Sequence, residues 1–99
     1  MTQSWELIKN SEVLGILTEK DINMPFVNCE FVAHPPFASY KAMFDKELRL
    51  LNSDQMDQWE KAYSDINELG LILEPNNSEA ELITEFLLHI KGNEAWFRY

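Results

Sequence analysis

Proton carriers and nucleophiles are scarce in this chain of 99 residues: two histidines, His34 and His89, and a single cysteine, Cys29. Imidazole changes charge near neutral pH, which makes it the usual general acid, general base or metal ligand. His34 directly precedes Pro35-Pro36, the setting of a strand-to-helix loop. His89 lies in the C-terminal stretch LITEFLLHIKGNEAWFRY, with Glu85 before it and Trp96 and Arg98 after it. A carboxylate, an imidazole and a guanidinium can make a small catalytic or ligand site, in which Arg98 holds an anionic group and His89 moves a proton. Along one strand, however, Glu85 and His89 stand two pleats apart, about 13 Å, too far to share a metal ion. Cys29, within the apolar run FVNCEF, reads as a small buried hydrophobe with no base beside it. Asp45 and Glu47 point in different directions on a helix and make a poor acid–base pair. No serine has nucleophile-elbow glycines around it. Phosphate-loop, dinucleotide and zinc-ligand patterns are missing from the sequence as well. The residues therefore point to no catalytic residue, no metal and no cofactor.

The element that presents His89 is the clearest in the chain. Apolar and polar residues alternate on both sides of Gly92-Asn93, a strong signal for a hairpin. In that register Lys91 faces Glu94, Ile90 faces Ala95, His89 faces Trp96, Leu88 faces Phe97 and Leu87 faces Arg98. Alternation then gives a core face of Leu82, Phe86, Leu88, Ile90, Ala95, Phe97 and Tyr99. The opposite face holds Ile83, Glu85, Leu87, His89, Trp96 and Arg98, a mixture typical of protein-binding surfaces. On that face a Glu85–Arg98 salt bridge beside a Trp96-stacked His89 is the plain structural reading.

Upstream, Ser4 to Lys9 and Val13 to Thr18 read as strands joined at Asn10-Ser11, with Trp5 and Leu7 sharing a face with Leu14 and Ile16. Gly15 leaves a notch where a ring or backbone can approach, and Trp5, Phe31 and Phe37 are candidates to line a pocket beside it. Asp21 to Pro25 is a break, followed by a strand from Phe26 to Val32 with Val27, Cys29 and Phe31 on one side. After Pro35-Pro36 the spacing turns helical, with a stripe of Phe37, Tyr40, Phe44, Leu48 and Leu51. Asn52-Ser53 is a cap for a second helix that presents Met56, Trp59, Tyr63, Ile66 and Leu69 and stops at Gly70. Leu71 to Glu74 is a short strand, and Pro75 to Ser78 a turn. The fold class is α+β, a single domain over residues 1–99: an antiparallel sheet in βββ-αα-βββ order with two helices packed on one face.

Composition narrows the partners. The chain is 45% hydrophobic and 12% aromatic with a formal charge of −9, enough apolar material for one core. Nine acids stand against Lys61 alone from Ser53 to Glu85, a net of −8. Such a field repels phosphate backbones and anionic lipid, which argues against nucleic-acid and membrane partners, and it attracts basic ones. The N-terminus lacks a signal-peptide pattern and no apolar run reaches the roughly 20 residues of a membrane span. With one cysteine, this implies a reduced, cytoplasmic protein.

The segments WELIKN, DINMPFVNCEF and above all FLLHIKGNEAWFRY resemble a family of small uncharacterised bacterial proteins with an FLLHIxGxxAWFR-type ending. The match runs through Phe86–Ile90, Gly92 and Ala95–Arg98; it implies a free-standing bacterial domain and carries no residue roles. The expectation is a small acidic, non-enzymatic interaction domain: an adaptor, an inhibitor or a homodimer. It would bind through Ile83, Glu85, Leu87, His89, Trp96 and Arg98, or offer a basic partner the Asp54–Glu68 helix. The alternative is a small enzyme or ligand-binding domain built on His89, Glu85 and Arg98. A third arrangement covers the second hairpin face with the protein's own Glu19–Pro25 segment.

Overall fold

The computed structural model describes residues 3–77 and 79–99. Asn10 and Ser11 both take positive φ, 50° and 71°, giving the two-residue turn whose twist suits antiparallel strands. They join β1 (Ser4–Lys9) to β2 (Glu12–Asn23), and β3 (Phe26–Ala33) follows. After α1 (Lys41–Asn52) and α2 (Met56–Asn67) come β4 (Ile72–Pro75), β5 (Leu87–Lys91) and β6 (Glu94–Arg98). Among the described residues this is the βββ-αα-βββ order and α+β class that the sequence implies. The strands form one curled antiparallel sheet in the order β4-β1-β2-β3-β6-β5.

The terminal hairpin has the expected register at all five pairs, from Leu87 opposite Arg98 to Lys91 opposite Glu94. Gly92 supplies the turn with φ of 60°. Its first strand is shorter than the alternation suggests, since Leu82 to Phe86 lie outside β5. Ile83 instead bridges back to Leu73 through a pair of 2.9 Å backbone hydrogen bonds. The face assignments for Leu82, Ile83 and Glu85 fall with that strand. Leu88, Ile90, Ala95 and Phe97 are core residues, whereas Leu82 and Tyr99 are exposed.

The register of β1 against β2 also departs from the simple alternation. Trp5 pairs with Leu17 and Leu7 with Gly15, and a bulge at Leu7/Ile8 sets the pairing for the rest. Leu17 is therefore the core partner of Trp5 where Ile16 was expected, and the extra residue of the bulge lets Leu14 turn inward too. The notch at Gly15 is real and filled. A Cβ there would stand 2.5 Å from Phe31 Cε1 and 2.8 Å from the Val32 carbonyl oxygen. Phe31 meets Phe37 edge-on at 5.0 Å, with Phe37 5.8 Å from Phe44, so Phe31 and Phe37 fill the notch as core residues. Asp21 to Asn23 is strand rather than break, because β2 keeps pairing with β3 out to Asn23–Phe26.

Pro35-Pro36 opens a separate 3-10 turn, Pro35–Ser39, and α1 begins only at Lys41. Asn52 and Ser53 end α1, the Ser53 hydroxyl donating to the Arg49 carbonyl at 2.7 Å; Gln55 leads into α2 without a side-chain cap. Gly70 follows α2 with φ of 69°, as helix ends favour. Ser78, the last residue of the expected turn, lies outside the described residues.

The helices bury Phe44, Leu48, Tyr63 and Ile66, and Phe44 and Tyr63 join the core cluster of the sheet. They also close an edge. Among the described residues β5 pairs with β6 alone, and its Leu88 N–H donates at 2.6 Å to Tyr63 Oη. That bond gives a partner to a backbone group that an edge strand would otherwise leave open.

Candidate functional site

His89 is where the sequence drew attention, and its surroundings differ from either expected arrangement. It is 3% exposed. Its Nδ1 lies 2.7 Å from Oε1 of Glu47, a carboxylate on α1 that is itself 0% exposed. The approach has ion-pair distance without hydrogen-bond alignment, and Glu47 Oε2 has no partner among the described residues. Trp59, from α2, donates its indole N–H to Glu47 Oε1 at 2.9 Å. Aromatic rings complete the enclosure: Trp96 at 5.4 Å from the imidazole centroid, Phe26 at 6.2 Å and Tyr63 at 6.3 Å. A carboxylate and an imidazole sealed this way hold each other in place. They offer no face to a substrate, because reacting groups must be reached through a cleft.

Trp96 does pack on His89, as the hairpin register implies. Arg98 is exposed and places its guanidinium 5.9 Å from the Phe26 ring centroid, a cation–π arrangement. Glu85 is exposed, and among the described residues no ion pair joins it to Arg98. Leu87 packs partly against the core, and Ile83 is held by its bridge to Leu73. Among the described residues no ion pair joins Glu85 to His89 either. The cover over His89 comes from α1, α2 and Phe26, and the Glu19–Asn23 segment is occupied in the β2–β3 hairpin. His34 caps no helix with its side chain and lies at the start of the 3-10 turn.

Glu47 is the residue that sequence reasoning missed. It stands three residues after Phe44 and four before Leu51, on the apolar stripe of α1. A carboxylate on the buried side of an amphipathic helix needs a partner from another element, and that spacing was the available signal.

The other nucleophile is equally enclosed. Cys29 is buried in the core cluster. Burial, reinforced by the nearby Glu19 carboxylate, pushes its thiol up to about 12, the opposite of a reactive cysteine. Burial likewise raises the Tyr63 phenol to about 12, against the lowering effect of the Leu88 N–H that it accepts. Among the described residues no group of three His, Cys, Asp or Glu side chains could hold a metal ion.

One accessible concave surface lies at one end of the curled sheet. A groove of about 500 Å³ runs between β1, the end of β4 and the 80–85 segment, and is lined by Trp5, Pro75, Leu82, Ile83 and Tyr99. Phe97 joins floor to rim, edge-on to Trp5 at 4.9 Å and stacked on Tyr99 at 5.8 Å. Glu81 and Glu85 line it as well. The tip of the β2–β3 hairpin belongs to the same end, because Val27 pairs with Phe97 and so brings Pro25 level with Tyr99. Met24 at that tip is 83% exposed, Tyr99 76% and Leu82 53%.

The chain matches no protein-family model, no curated protein and no solved structure. Among the described residues no helix is long and apolar enough to cross a membrane.

Proposed function

We propose that this protein is a small acidic, non-enzymatic interaction domain that works by binding another protein or a second copy of itself. The observation that carries this reading is the contrast between its two notable sites. The carboxylate–imidazole pair of Glu47 and His89 is sealed between helix and sheet. Large apolar side chains, Leu82 and Tyr99, stand exposed in an open groove. Exposed apolar surface beside a concavity is characteristic of a docking site. The binding end therefore moves from the central face of the hairpin, where His89 is covered, to its open end. Of the residues expected at the interface, Ile83 and Glu85 belong to that end; Trp96, Arg98 and Leu87 flank the covered histidine.

Sedimentation velocity over a wide concentration range, with affinity capture of the native protein and quantification of what co-purifies, tests the reading. A concentration-dependent dimer or a stoichiometric partner is the expected result. A monomer at every concentration with nothing captured in stoichiometric amount would overturn it.

A further inference from the structure

We infer that the groove at the open end of the sheet is the docking site for a basic segment of a partner protein, one that carries both long cationic and apolar side chains. The inference rests on the interaction reading above and gives it a ligand chemistry.

The argument starts from what lines the groove. Its volume of about 500 Å³ falls in the range of roughly 300–1,000 Å³ usual for ligand sites, which are mostly apolar with a few charged groups that fix orientation. Here the apolar wall is Trp5, Pro75, Leu82, Ile83 and Tyr99, and the charged groups, Glu81 and Glu85, are both carboxylates. Both acids are exposed, and neither has a basic partner within 4.0 Å among the described residues. A lysine or arginine side chain suits such a surface because its aliphatic stem covers apolar walls while its charge reaches a carboxylate. The Tyr99 ring, mostly exposed and backed by Phe97, adds a face over which a cation is attracted. The sign of the whole molecule agrees: the formal charge is −9, and Glu81 and Glu85 belong to the acidic stretch Ser53–Glu85. That field steers a basic segment toward the protein and repels an acidic one.

The test is fluorescence anisotropy with a labelled, end-blocked Lys-Leu-Lys-Leu-Lys peptide. Two further peptides, Lys-Ser-Lys-Ser-Lys and Glu-Leu-Glu-Leu-Glu, remove the apolar anchors and reverse the charge. Lys-Leu-Lys-Leu-Lys should bind saturably, and each of the others should bind about tenfold more weakly or worse. Glu81→Lys with Glu85→Lys should weaken the first peptide about tenfold, and Leu82→Ser, at a side chain outside the core, should weaken it several-fold. Asp57→Lys with Glu60→Lys on exposed α2 makes the same change in net charge and should leave affinity within about twofold. An unchanged thermal melt shows that each variant folds, and Tyr99→Ser provides a further groove variant if one does not. Equal binding of the Lys-Ser peptide, an equal loss in the α2 variant, or no saturable binding would each overturn the groove assignment. A partner or dimer that persists in the groove variants would leave the interaction reading standing while removing this site from it.

Discussion

Among the described residues Glu47 is the most deeply buried charged side chain. A carboxylate fully removed from water costs several kcal/mol unless its partners compensate. In this protein the partners come from two other elements, the His89 imidazole of β5 and the Trp59 indole of α2. Glu47→Ala should therefore destabilise by about 1–3 kcal/mol or more in urea denaturation, because it leaves the buried Trp59 indole N–H without its acceptor and opens space beside the His89 imidazole. Replacing both partners, as in Glu47→Leu with His89→Leu, should cost clearly less than the sum of the single changes; additive losses would show that the two side chains do not act as a pair. Cys29 gives a second test at this scale. With its thiol pushed up to about 12, it should resist a disulfide reagent at pH 8 in the folded protein and react at once when urea unfolds the chain.

At the scale of elements, close approach and edge protection decide the outcome. Gly15→Ala would drive a methyl group into the Phe31 ring and the Val32 carbonyl. The ring is locked against Phe37, so a cost of about 1–3 kcal/mol is expected, read from the shift of the urea midpoint. Tyr63→Phe removes the acceptor of the Leu88 N–H and should cost about 1–3 kcal/mol. Its diagnostic signature is local: hydrogen exchange at the Leu88 amide should accelerate more than exchange in the central strands. The β1–β2 turn offers a change in the other direction. Ser11 sits at φ of 71°, where a Cβ costs roughly 1–2 kcal/mol, so Ser11→Gly should stabilise by a fraction of that amount.

For the molecule as a whole, the alkaline side of the stability curve follows from two buried acids. Cys29 rises from 9.0 and Tyr63 from 10.0, both to about 12 on folding. The unfolded chain therefore gives up these protons at lower pH than the folded one. Their contribution to stability is complete below about pH 9 and is lost as pH climbs toward 12. Urea midpoints should fall across that window, and Cys29→Ala with Tyr63→Phe should flatten the fall. An equally steep decline in that double variant would assign the effect to the general repulsion of a chain that already carries −9.

Periodicity, the turn dipeptides and composition were enough to read the α+β class, the order of elements and the pairing of the terminal hairpin. These depend on short-range chemistry: positive φ at Gly92, alternation about it, and helical stripes through Phe44 and Tyr63. The acidic character, too, is a property of the residues alone. The bulge that exchanges Leu17 for Ile16 was not legible, because it arises where β1, β2 and β3 must pair at once. Nor was the short β5: alternation continues through Leu82 to Phe86, yet Ile83 finds its hydrogen bonds on Leu73, a neighbour the curled sheet supplies. The same separation holds at the candidate sites. His89 looked accessible beside Glu85 and Arg98 because strand neighbours are all that a hairpin reveals. Only the packing of α1 and α2 against the edge of β5 brought Glu47 to it and closed it from water. The groove, likewise, joins Trp5 near one end of the chain to Tyr99 at residue 99, a meeting produced by the sheet curling on itself.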